Sequence, residues 1–170
     1  MAILPIRTFG DPVLRAKTAV VEEIDDGVRK LVADMIETMY DAPGAGLAAN
    51  QIGVSRRICV FDAADGNGVQ VIINGEILET AGEIRTEEGC LSVPGHWWEI
   101  TRPEFSRARG LDLDGNEVEY SGTGLMGRVL QHELDHLDGG LLIERLEPDV
   151  RKKALRDLRN EALGLIDFGQ

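Results

Sequence analysis

A chain of 170 residues, 43% hydrophobic and 28% charged, has the length and composition of one soluble globular domain with its own core. Its net charge of -12 excludes general nucleic-acid binding, DNA included, which needs a basic face. Two cysteines make no disulfide framework, no apolar run approaches the roughly 18 residues of a membrane span, and MAILPIRTFG lacks the regions of a signal peptide. A reduced, cytoplasmic protein without a membrane partner is expected.

No repeat or linker divides the sequence, so residues 1–170 are expected to form a single domain. Val28, Leu31, Val32, Met35, Ile36 and Met39 recur at helical spacing and predict a helix from Asp26 to Tyr40, ended by Pro43-Gly44. Arg56 to Asp62 and Val69 to Asn74 read as strands joined by a turn at Asp65 to Gly68. EILETAGEIRTEE reads as continuing strand. Two or three more strands follow from Trp97 to Gly122, with a hairpin turn at Asp114-Gly115. The period then changes. Leu125, Met126, Val129, Leu130, Leu134 and Leu137 form a broad apolar helical face, with Thr123 as N-cap and Gly139 as the stop. A last helix follows Pro148, with Val150, Ala154, Leu155, Leu158 and Ala162 expected to face inward. A helix, a run of strands and then helices is an α+β arrangement.

QHELDHLDG, Gln131 to Gly139, contains the pattern H-E-x-x-H. On a helix, His132 and His136 share one face with Cβ atoms about 5–6 Å apart, close enough to chelate one ion. Glu133 is then placed to act as general base on a metal-bound water. The pattern also occurs by chance on amphipathic helices. Here, though, it takes two of only three histidines, the third being His96.

A third ligand decides the chemistry. The protease extension H-E-x-x-H-x-x-G-x-x-H holds as far as Gly139 but meets Leu142 at its last histidine. Glu144, Glu147 and Glu161 have no distinctive setting. Cys90 has one, in the glycine-containing loop TEEGCLSVPG, where Gly89 allows close backbone approach. Cys59, within ICVF, reads instead as a core residue. One thiolate and two imidazoles leave a fourth position open, the mark of a catalytic site.

GAGLAANQIG, Gly44 to Gly53, is a third unusual stretch. It reads either as a turn with a small-residue packing surface, or as backbone that pairs with an extended substrate. In the second reading Gln51 offers an N–H donor to a developing oxyanion.

Taken together, Gly44-Ala45-Gly46-Leu47-Ala48-Ala49-Asn50-Gln51, Glu88-Gly89-Cys90-Leu91-Ser92 and Gln131 to Gly139 resemble the three ordered motifs of the peptide deformylases. The likeness also takes in FGDPVLR and runs to about Arg145. It implies antiparallel strands packed around a central helix that carries the two histidines. It implies removal of the formyl group from the N-formylmethionine of newly made proteins. The implied cofactor is one divalent metal ion per chain, iron(II) natively with zinc(II) or nickel(II) as substitutes, on Cys90, His132 and His136. Glu133 is the implied base, with Gln51 and the Leu91 backbone N–H holding the oxyanion. Gly44, Ala45, Gly46 and Gly89 would align the peptide, and the methionine would enter a pocket near Leu125, Val129 and His132. Glu88 would pair with Arg102 and brace the cysteine loop.

Several positions depart from the family pattern. Ala45 is small where a branched residue is more usual, and Gly127 stands where alanine is usual, costing up to ~1 kcal/mol in a helix. Trp97 and Trp98 follow the cysteine loop as strand residues or as a cleft edge. RKKALRDLR in the last helix reads as a solvated face, or alternatively as a contact to the ribosome surface. The competing readings are a deformylase-like enzyme with another formylated substrate, a zinc endopeptidase, and a non-catalytic metal binder. The last needs neither Glu133 nor Gln51.

Overall fold

The computed structural model describes residues 1–165. Helix α1 spans Asp26–Asp41, one residue past the expected end, and Asp25 caps it by accepting the Val28 N–H at 2.9 Å. Its buried Val28, Val32, Met35 and Met39 pack on Leu47, Ile58, Val60 and Ile73, one of three apolar clusters.

Seven strands follow among the described residues: β1 (Gly46–Ala48), β2 (Ile58–Phe61), β3 (Gln70–Ala81), β4 (Ile84–Gly89), β5 (Trp97–Arg102), β6 (Phe105–Leu111) and β7 (Glu117–Gly122). All pairings between them are antiparallel. Five strands form one sheet in the order β1-β2-β3-β6-β7, and β4 and β5 form a second. The segment expected to run on as one strand from Glu76 is therefore two. Gly82, with φ +70°, turns the chain between β3 and β4 and sends β4 into the other sheet. The glycine-rich stretch is neither a plain loop nor a turn. It forms edge strand β1 and then a 3-10 turn over Ala49–Ile52.

Helix α2 (Gly124–Leu137) lays Val129, Leu130, Leu134 and Leu137 on Ala48, Cys59, Phe61, Ile72 and Ala108 of the large sheet. Thr123 is its N-cap, but the Thr123 side chain makes no capping bond. Close approach explains Gly127. A Cβ there would lie 2.4 Å from the Glu104 carbonyl and 2.7 Å from that of Gly122, so the helix gives up propensity to sit near the β5–β6 turn. At the far end, the Thr18 backbone N–H and Oγ1 both donate to the Leu137 carbonyl, at 2.9 and 2.8 Å, satisfying a group that has no partner within the helix.

Helix α3 (Pro148–Ala162) buries Ala154 and Leu158 against Val93, Ile100 and Leu142, the third cluster. Val150 and Ala162, expected inward, are exposed. The helix touches the body over a narrow stripe, so its ends turn to solvent. No helix among the described residues is long and apolar enough to cross a membrane.

Candidate active site

The polypeptide brings Cys90, which directly follows β4, to His132 and His136 of α2. Their ligand atoms all lie within 4.8 Å of one another. His136 Nε2 is 3.3 Å from Cys90 Sγ and 3.2 Å from His132 Nε2. A tetrahedral ion with metal–nitrogen bonds of about 2.1 Å and a metal–sulfur bond of about 2.3 Å sets its ligand atoms about 3.4–3.6 Å apart. The donor set therefore fits a divalent ion with little rearrangement. Burial holds His136 well below its usual pKa, as a neutral imidazole ligand needs. Glu144 and Glu161 are engaged elsewhere, by Arg15 and by His96.

A half-buried carboxylate orients the site. Glu88 Oε1 accepts from His132 Nδ1 at 2.9 Å and from Arg102 Nη2 at 2.6 Å, and Oε2 takes Arg102 Nε at 2.9 Å. Burial opposes ionisation of Glu88. The hydrogen bond from His132 and the Arg102 charge outweigh it and hold the carboxyl below its ordinary range. The Glu88–Arg102 pair is as expected. The Glu88–His132 bond was not foreseen, because it links residues 44 apart. Asn50 was also missed. It is fully buried, and its Nδ2 donates to the His136 backbone carbonyl. The N-terminal segment adds two clamps. The Arg7 N–H reaches the Gln51 carbonyl at 2.6 Å and the Phe9 N–H that of Ser92 at 2.9 Å.

Glu133 is 3% exposed, and its Oε2 has no hydrogen-bond partner among the described residues. Burial pushes its pKa up to about 7, against the pull of His132. A carboxyl near neutrality can both take and return a proton. Gly46 makes room for it: a Cβ at 46 would lie 2.4 Å from Glu133 Oε1.

Both are on the wall of a cavity of about 550 Å³. It is also lined by Gly44, Ala45, Gln51, Gly89, Leu91, Leu125, Val129 and His132, so every expected site residue except His136 faces it, and His136 lies behind, on the ligand cluster. Gln51 Oε1 accepts the Ala48 N–H at 2.9 Å. That fixes the carboxamide so that Nε2 points to Ser92 Oγ, 3.1 Å away, and towards Cys90 Sγ at 3.8 Å. The cavity lies between two sheet edges. β1 is the edge of the five-stranded sheet, and β4 pairs only with β5.

A buried carboxyl near neutrality, beside a free cysteine and two imidazoles in an open cleft, is the equipment of a hydrolase. The sequence profile of the family described as Polypeptide deformylase matches residues 3–152. The chain is 50% identical over 154 residues to a peptide deformylase of Syntrophobacter fumaroxidans, covering 89% of this chain and 91% of that one. It is 48% identical over 155 residues to that of Thermodesulfovibrio yellowstonii, covering 89% and 94%. Its fold matches the crystal structure of the Thermus thermophilus peptide deformylase with TM-score 0.88, at 42% identity and over 96% and 97% of the two chains. It matches that of the Ehrlichia chaffeensis enzyme in complex with actinonin with TM-score 0.86, at 37% identity and over 95% and 98%. The chain belongs to the peptide deformylase family, hydrolases that remove the N-formyl group from nascent peptides.

Proposed function

We propose that Cys90, His132 and His136 hold one divalent ion, iron(II) in the cell and replaceable by zinc(II) or nickel(II), and that the chain acts as one catalytic domain in the cytoplasm. The convergence of these three ligand atoms beside the partnerless carboxylate oxygen of Glu133 carries the reading. When bound, such an ion supplies Lewis acidity, which makes hydroxide available near neutral pH and polarises the formyl oxygen.

The remaining work belongs to side chains and backbone. Gly44 to Gly46 and Gly89 align the peptide between the two sheet edges, adding it as an extended segment. The methionine side chain enters between Leu125, Val129 and Ala45, all on the cavity wall. Glu133 takes the proton of the attacking water and returns it to the leaving amine. The second Nε2 hydrogen of Gln51 and the backbone N–H of Leu91 hold the developing oxyanion. One such donor is typically worth about 3–4 kcal/mol. The exposed Arg151, Lys152, Arg156 and Arg159 of α3 give an otherwise acidic protein a basic face suited to the ribosome surface.

The test is formate release from formyl-Met-Ala-Ser by protein loaded anaerobically with iron(II), or with nickel(II). Release is expected to fall by a factor of 10² or more in Glu133→Ala with one metal retained per chain. Undiminished release would remove Glu133 from the mechanism. Actinonin, which the Ehrlichia chaffeensis relative holds, is expected to compete with the peptide.

A further inference from the structure

Trp97 is 62% exposed, more than any other aromatic side chain among the described residues. It stands in β5 directly opposite Gly89 of β4. Its indole fills the space that a side chain at 89 would take, since a Cβ there would lie 2.7 Å from Trp97 Nε1 and 2.9 Å from Cδ1. One side of the ring is thus held against the backbone just before Cys90, while the ring also borders the cavity. Trp98 does the opposite. It packs against the cluster around Val93 and Ile100 and stacks on His96, with centroids 5.4 Å apart and planes 13° apart. Trp97 takes no part in that cluster. Core packing therefore does not explain a large apolar ring at the mouth of the cleft.

We propose that Trp97 is a specificity-determining residue: a platform for the side chain that follows formyl-methionine, favouring an aromatic or large apolar residue there. This rests on the peptide path past Gly89 proposed above. An extended chain alternates its side chains. With methionine directed towards Leu125 and Val129, the next side chain faces the opposite way, towards the rim. There an indole with one edge seated against Gly89 offers a broad apolar face.

The measurement is kcat/KM for formyl-Met-Phe-Ser divided by that for formyl-Met-Ala-Ser, in native enzyme and in Trp97→Ala. The native ratio is expected to exceed the variant's by about three- to tenfold, the worth of one aromatic pair, with the change in KM. A purely structural role would shift kcat for both peptides and leave the ratio alone. Ratios within about twofold of each other overturn the proposal. Should Trp97→Ala fail to fold, Trp98→Phe leaves Trp97 as the only indole. Combined with Glu133→Ala, it reports binding of the two formylated peptides by fluorescence. A larger emission change with the Phe peptide supports the platform, and equal changes overturn it. Absence of formate from both peptides would strike at the proposed chemistry, and the fluorescence comparison would still decide the platform.

Discussion

Replacing Glu88 by glutamine tests whether one carboxylate performs two tasks. The Arg102 side chain is 0% exposed and Glu88 is its close counter-ion, while the next carboxylate, Asp135, stands 4.0 Å from Nη1. Glutamine keeps the shape but removes the charge and one acceptor, leaving a buried guanidinium poorly compensated. Losing one partner of a buried pair costs about 3–5 kcal/mol. With Asp135 in reach, the lower figure is expected, a fall in Tm of about 6–12 °C for a chain of this size. His132 also loses the charged partner that orients its ring, which typically costs 10- to 100-fold in metal affinity. The double replacement Glu88→Leu with Arg102→Met separates the tasks. It removes both buried charges, so most of the stability should return. Metal affinity should stay low, because His132 Nδ1 still lacks its acceptor. Chemical denaturation of the metal-free protein and competition with a chromophoric chelator read the two quantities. The reasoning is refuted if Glu88→Gln changes neither, or if the double variant binds metal as the native chain does.

Gly46→Ala puts a Cβ 2.4 Å from Glu133 Oε1; kcat is expected to fall by about 10² with metal content unchanged, as a displaced base requires, and full activity would show that Glu133 has slack. Gly139 has φ +83°, and a Cβ there would lie 2.5 Å from the Arg15 carbonyl. Gly139→Ala should therefore cost about 2–4 kcal/mol in denaturant unfolding, and a loss below 1 kcal/mol would contradict that packing. Peroxide should inactivate the iron-loaded enzyme with oxidation at Cys90. Cys59 is buried, and its thiol is held up in pKa chiefly by that burial, so mass spectrometry should find it intact. Modification of Cys59 first would reverse the assignment of the two thiols.

What was legible in the sequence was what repeats locally or contrasts chemically. His132, Glu133 and His136 sit within one helical turn and a half, so the 3.6-residue period was enough to put both imidazoles on one face. Cys90 stood out from Cys59 because one lay in a polar loop and the other in an apolar run, and burial follows that contrast. The break at Gly82 was missed because Glu76–Glu88 keeps strand-like composition through a glycine whose positive φ leaves no other mark. The inward set of α3 was overdrawn because periodicity assumes a broad contact, and the body supplies one only to Ala154, Leu158 and, in part, Leu155. Asn50 to His136 and Glu88 to His132 span 86 and 44 residues. Pairings at that distance have no local period, and only the family resemblance put even Glu88 with Arg102 on view.

These long-range links also explain how the fold tolerates the carboxylate proposed as its base. An unpartnered buried carboxylate oxygen costs on the order of 1–3 kcal/mol. At Glu133 the cost arises because α2 lies close enough to β1 that Gly46 must lack a side chain. The same closeness buries the carboxyl and raises its pKa to about 7. Stability and reactivity therefore oppose each other at this one residue. Around it the chain braces the helix through Thr18 on the Leu137 carbonyl, Asn50 on that of His136, and Glu88 with Arg102 beneath His132. Because those supports hold the C-terminal half of the helix, the Glu133 carboxylate can stay where the proposed chemistry needs a proton exchanged.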